Sequence, residues 1–123
     1  MKNKVLALAA AGEAGTGLLL LAWPPIVVRL LFGAEISGVG VVVSRFGGIC
    51  LFGLGVACWP GNSALQPLNG MLTYSTLAML YLTYIGVCGE MVGLLLWPAV
   101  LLHAILVVLL FRARFKEEMT AEA

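Results

Sequence analysis

The chain has 123 residues, 62% hydrophobic and 11% charged, with a formal net charge of +1 and a mean hydropathy of +1.07. Soluble domains run roughly 45–50% apolar and about 25% charged, so an ordinary soluble fold is excluded, as is disorder, which needs low hydrophobicity and high net charge. A nucleic-acid surface is excluded too, because no basic patch extends beyond one short tail.

What remains is a single membrane domain, all-α, with four transmembrane helices. A helix crossing the hydrocarbon core needs roughly 20 mostly apolar residues. The runs at about 5–23, 38–59, 71–88 and 91–111 meet that need and use most of the length. They are unbroken Leu/Val/Ala stretches without period-two alternation, so they predict helices and not barrel strands. The first run starts with Lys2 and Lys4 and holds Ala9-Ala10-Ala11, as a cleaved leader would. Its apolar part before Glu13 is too short for that, and more apolar sequence follows, so it reads as a span.

Pro24-Pro25 ends the first helix. In the segment 24–37, Ile26, Val27, Leu30 and Leu31 recur at helical spacing, with Arg29 and Glu35 as its polar residues. This predicts a short amphipathic helix on the outer membrane surface, the alternative being an irregular loop. The stretch from Pro60 to Gly70 is rich in turn residues and reads as the link between the second and third spans. Trp23, Trp59 and Trp97 fall near span boundaries, as interfacial anchors do. The tail 112–123 starts basic, with Arg112, Arg114 and Lys116 placed to meet anionic headgroups, and ends acidic and solvated. With four spans both termini share one side. That side carries Lys2, Lys4, Arg112, Arg114 and Lys116 against Arg29 on the other, so both termini are expected in the cytoplasm.

Ionisable residues inside a membrane are costly and usually face protein. Glu13, Arg45 and His103 lie deep in their spans. At a rise of about 1.5 Å per residue, Glu13 sits about 12 Å from the cytoplasmic boundary, and Arg45 and His103 about 10 and 17 Å below the outer one, close to the midplane of a core about 30 Å thick. Tyr81 on the third span reaches a similar level and shares a helical face with Tyr74 and Tyr84. The expected arrangement is a buried polar network of Glu13, Arg45, Tyr81 and His103, built on a Glu13–Arg45 ion pair, because Arg keeps its proton and needs an acceptor. Such a set either fixes helix register or handles a proton or ligand.

Small residues form candidate packing faces. Gly12 and Gly15 flank Glu13; Gly40, Ser44 and Gly48 recur every four residues, and Gly47 and Gly55 lie two turns apart on a neighbouring face; Gly89 and Gly93 form a GxxxG. Together they predict close helix packing, part of it against a partner chain or a second copy.

The chemistry of an enzyme is missing. There is no Asp, no phosphate-binding loop and no hydrolase elbow. Cys50, Cys58 and Cys88 show no CxxC spacing and read as small buried apolar residues. No metal site and no cofactor are expected of this chain alone. With one His it cannot supply both axial ligands of a haem, and a haem or quinone shared with a partner is left open.

Arg45-Phe-Gly47-Gly48-Ile-Cys-Leu-Phe-Gly53-Leu-Gly55 is similar to the Arg-then-Gly-rich helix of small DoxX-like four-helix bacterial membrane proteins. That resemblance implies a small inner-membrane helix bundle, in some members tied to quinone or thiol redox complexes. Glu13-Ala-Gly15-Thr16 resembles the first-helix motif of the small multidrug resistance exporters. That one implies an antiparallel dimer in which Glu13 binds protons and cationic substrate in competition. Arg45 and the segment 24–37 depart from the exporter pattern, and the third span lacks its aromatic and Gly-rich motif. The polar Asn and Phe-rich motifs of the fluoride channels are missing as well.

The expectation is a non-catalytic, helix-packing subunit of a larger bacterial membrane assembly, respiratory or redox in kind, with the lipid bilayer and other membrane subunits or a second copy as partners. The alternative is a small proton-coupled exporter acting as a homodimer through Glu13.

Overall fold

In a computed structural model the described residues form five helices in the order α1 (Lys2–Ala22), α2 (Pro24–Phe32), α3 (Val39–Ala57), α4 (Leu65–Cys88) and α5 (Leu96–Glu122). The structure describes residues 2–62 and 65–123; the part of the turn-rich loop at 63 and 64 lies outside them. All but α2 are long and apolar enough to cross a membrane. No strand occurs among the described residues.

Prolines set where three helices begin. Pro24 and Pro25 occupy the first two positions of α2, Pro67 the third of α4 and Pro98 the third of α5. In a first turn the missing N–H has no intrahelical acceptor to lose, so proline starts a helix at no cost. This corrects two boundaries. α4 begins at Leu65 and not near 71, since Pro67, Asn69 and Gly70 belong to its first turns. α5 begins at Leu96 and not near 91, and runs on through the tail to Glu122. Nothing after Pro98 breaks it: the tail is Arg, Lys, Glu and other residues that helices accept. At about 40 Å it is longer than the hydrocarbon core is thick. Gly33 and Gly89 end α2 and α4 in the left-handed region, with φ of 67° and 73°. Their N–H groups donate back to Arg29 O at 2.9 Å and Ile85 O at 3.1 Å.

The helices associate as two pairs, α1 with α3 and α4 with α5. Between α1 and α3 the backbones nearly touch. A Cβ on Gly48 would lie 2.6 Å from Gly17 O, and one on Gly55 would lie 2.5 Å from Ala10 O, so only glycine permits the approach. In the second pair the Trp97 ring lies over Gly86, where a Cβ would come within 2.8 Å of it. α1 joins the pairs, packing along α3 and touching α5 and α4. Leu6, Ala9 and Ala10 of α1 meet Leu68 and Met71 of α4, Leu106 and Leu110 of α5, and Cys58 in one buried cluster. That cluster lies at the end of the bundle holding the start of α1 and the outer half of α5. At the opposite end, α2 is fastened to the segment before α5: Gly93 N donates to Leu31 O at 3.0 Å and Leu95 N to Leu30 O at 2.8 Å. Gly93 fits against the Leu30–Gly33 backbone where a side chain would collide.

Candidate polar site

The α1/α3 and α4/α5 pairs meet at a polar contact. Glu13 on α1 and His103 on α5 are 7% and 9% exposed. Their side chains approach with His103 Nε2 at 3.5 Å from Glu13 Oε1. The other ring nitrogen, Nδ1, lies 2.8 Å from Ala99 O, one turn back on the same helix. A carbonyl only accepts, so Nδ1 carries a hydrogen and donates it. This pins the ring and turns Nε2 toward α1, where it forms no hydrogen bond of good geometry. Tyr74 of α4 closes the third side. Its ring stands edge-on to the imidazole, with centroids 6.0 Å apart and planes at 62°, and its phenol neighbours the Glu13 carboxylate. Ser75, the next residue along α4, is fully buried and its Oγ has no hydrogen-bond partner.

The expected network is thus only partly assembled. Glu13 and His103 come together; Arg45 and Tyr81 do not join them. Tyr81 is 63% exposed; the tyrosine that meets His103 is Tyr74, two helical turns earlier on the same face. The ion pair expected between Glu13 and Arg45 does not form. Arg45 is exposed on α3 and makes no ion pair among the described residues. The reason is azimuth. Gly48 and Gly55 of α3 face α1, and the stripe holding Arg45 lies one residue, about 100°, further round the helix. Arg29 pairs instead with Glu35 at 3.7 Å beside α2, where both side chains are largely exposed.

The packing glycines divide as well. Gly48, Gly55 and Gly93 sit in close backbone contacts. Gly12, Gly15 and Gly89 have open space where a Cβ would be, and Gly40 faces Ile36 of its own segment. Ser44 is half-buried on the α3 face next to Gly48. Gly17, absent from the expected faces, is the α1 residue that admits α3; its signal was its place four residues after Glu13, on the turn that continues the buried face. Trp23, Trp59 and Trp97 are all exposed near helix ends. Of the cysteines, Cys58 is buried while Cys50 and Cys88 are exposed, which corrects the expectation that all three are buried.

Among the described residues no three His, Cys or acidic side chains gather to hold a metal ion. Of the two ring nitrogens of His103, Nδ1 is engaged by Ala99 O and Nε2 faces Glu13. Compared with family models, curated proteins and solved structures, the chain matches none. What fold and site together define is an all-helical membrane protein with one polar contact sealed between two helix pairs.

Proposed function

We propose that the chain is a non-catalytic subunit of a larger bacterial inner-membrane assembly, with both termini cytoplasmic, and that it docks through the outer face of α3. The observation that carries this reading is Arg45. It is exposed part-way along an apolar helix, beside Val42, Phe46 and Ile49, which are 67%, 66% and 53% exposed. An Arg at a helix centre costs about 2.5–3.5 kcal/mol even on the mildest insertion scale. Arg45 lies six residues into α3, about 9 Å from its start. Around it Val42, Arg45, Ile49, Phe52 and Val56 recur at spacings of three and four, all exposed. That spacing is the seam by which one helix meets another.

Charge selects the occupant. Arg45 calls for an anionic acceptor at its own depth. A second copy offers a poor one: within the spans its acid is Glu13, which is buried against His103. The fitting partner is a transmembrane helix of another polypeptide that carries a carboxylate level with Arg45. The exporter reading gains nothing from the placement of Glu13, which faces His103 within one chain.

The test is native mass spectrometry after the mildest extraction, combined with a photo-crosslinking residue at Ile49 and, as control, at the exposed Leu101 of α5. The expected result is one other polypeptide at fixed stoichiometry, crosslinked from 49 and not from 101, and lost in Arg45→Leu. A bare monomer, a homodimer, or retained phospholipid alone overturns the reading.

A further inference from the structure

The pinned ring of His103 has a consequence for protons. With Nδ1–H donated to Ala99 O at 2.8 Å, a neutral imidazole leaves a bare lone pair at Nε2. That lone pair would point at Glu13 Oε1, 3.5 Å away, in a contact with both side chains about nine-tenths buried. If Glu13 were ionised at the same time, a lone pair would face a carboxylate with no hydrogen between them, in surroundings too apolar to screen the repulsion. If His103 were charged and Glu13 protonated, a lone cation would be buried in a membrane bundle, which is costly. Only the states with one proton avoid both. Either Glu13 is a carboxylic acid donating to Nε2, or His103 is an imidazolium donating to the carboxylate.

We propose that Glu13 and His103 form a one-proton binding site, holding a single proton between Nε2 and Oε1 at the junction of the two helix pairs. The inference rests on His103 as much as on Glu13, and does not depend on what covers α3. α4 presents Tyr74, whose phenol lies by the carboxylate, and Ser75, whose buried Oγ is unpartnered. α3 brings no charge to the site, since Arg45 is exposed, and Arg29 beside α2 is paired with Glu35. The site lies where α1 touches α5 and α4, in contacts much less extensive than those within either pair. Loss of the proton therefore acts where the two helix pairs meet, turning an attraction across that junction into a repulsion.

The chain has one histidine, so nitrogen-15 NMR of the labelled protein in bicelles reads His103 without assignment. Infrared difference spectroscopy reads a protonated carboxyl, assigned to Glu13 by its shift in Glu13→Asp or its loss in Glu13→Gln. At neutral pH the expected count is one proton, with Nδ1 protonated in every case. Either a carboxylic-acid band accompanies a bare Nε2, or both ring nitrogens carry hydrogen and the band is absent. A bare Nε2 without the band, both nitrogens protonated together with the band, or an unprotonated Nδ1 overturns the proposal. If Glu13→Gln does not fold, Tyr74→Phe serves as the second variant. It keeps the count at one, and any other count in that variant overturns a site made of Glu13 and His103 alone.

Discussion

His103 spends one ring nitrogen on its own helix and leaves the other to face α1. That division makes Glu13 and His103 unequal to lose singly. Removing one partner of a buried pair strands the other and costs about 3–5 kcal/mol, whereas replacing both with apolar residues of similar volume is often neutral. We expect His103→Leu to lower stability by about 3 kcal/mol, and Glu13→Leu combined with His103→Leu to recover most of that loss. Unfolding midpoints in mild detergent measure both. A double variant no more stable than the single one would mean the two residues do not interact. The levels of Glu13 and His103 were legible in the sequence, because rise per residue converts position into depth. Their pairing was not, because depth says nothing of azimuth. For Arg45 the azimuth was within reach: Ser44 and Gly48 mark the packed face of α3, and Arg45 follows Ser44 by one residue. Tyr74 was harder, since three tyrosines share a face and only the tilt of α4 against α5 selects among them.

Between helices, the α1–α3 contact rests on backbone proximity more than on side-chain volume. Gly17, Gly48 and Gly55 admit the opposing backbone to distances no Cβ tolerates, which gives the pair its van der Waals contact in a solvent that supplies no hydrophobic drive. Gly48→Val must therefore part the helices, and overpacking of this kind costs typically 1–3 kcal/mol, here toward the upper end of about 3 kcal/mol. Gly53, on the same helix, has open space where its Cβ would be. Gly53→Ala should leave stability unchanged or raise it by up to about 1 kcal/mol, the helix-propensity difference. Thermal unfolding of the two variants side by side checks this, and equal losses would show that α3 is not held through its glycine face. The four spans were plain from their hydrophobic length. The starts of α4 and α5 were not, because proline and glycine are usually read as breakers. A first-turn proline followed by Asn and Gly carries the same letters as a loop. The partner of Gly93 is likewise a backbone stretch sixty residues away, which no local pattern announces.

At the scale of the whole chain, the arrangement of ends constrains how the bundle sits in the bilayer. The buried cluster gathers Leu6, Cys58, Leu68 and Leu110 at one end, so both termini and the α3–α4 link lie together, and α2 with the α4–α5 link lies at the other. The positively charged residues follow this division: Lys4, Arg112, Arg114 and Lys116 belong to the terminal end, Arg29 to the far one. Cytoplasmic segments carry the excess of Lys and Arg, so the terminal end should face the cytoplasm. The native cysteines give a direct assay, because only a thiolate in contact with water reacts with maleimide. Cys58 is buried and Cys50 lies mid-way along α3 among apolar residues. Cys88 is exposed, at the last residue of α4 beside the far-end link. A membrane-impermeant maleimide added to intact cells should label Cys88. With Cys88→Ser and a cysteine introduced at Thr120, on the helical tail, labelling should wait until the membrane is opened. The reverse order would place the basic end outside. It would also invert the depth of Arg45, moving it to the cytoplasmic leaflet, where anionic headgroups could serve as its acceptor instead of a partner's carboxylate.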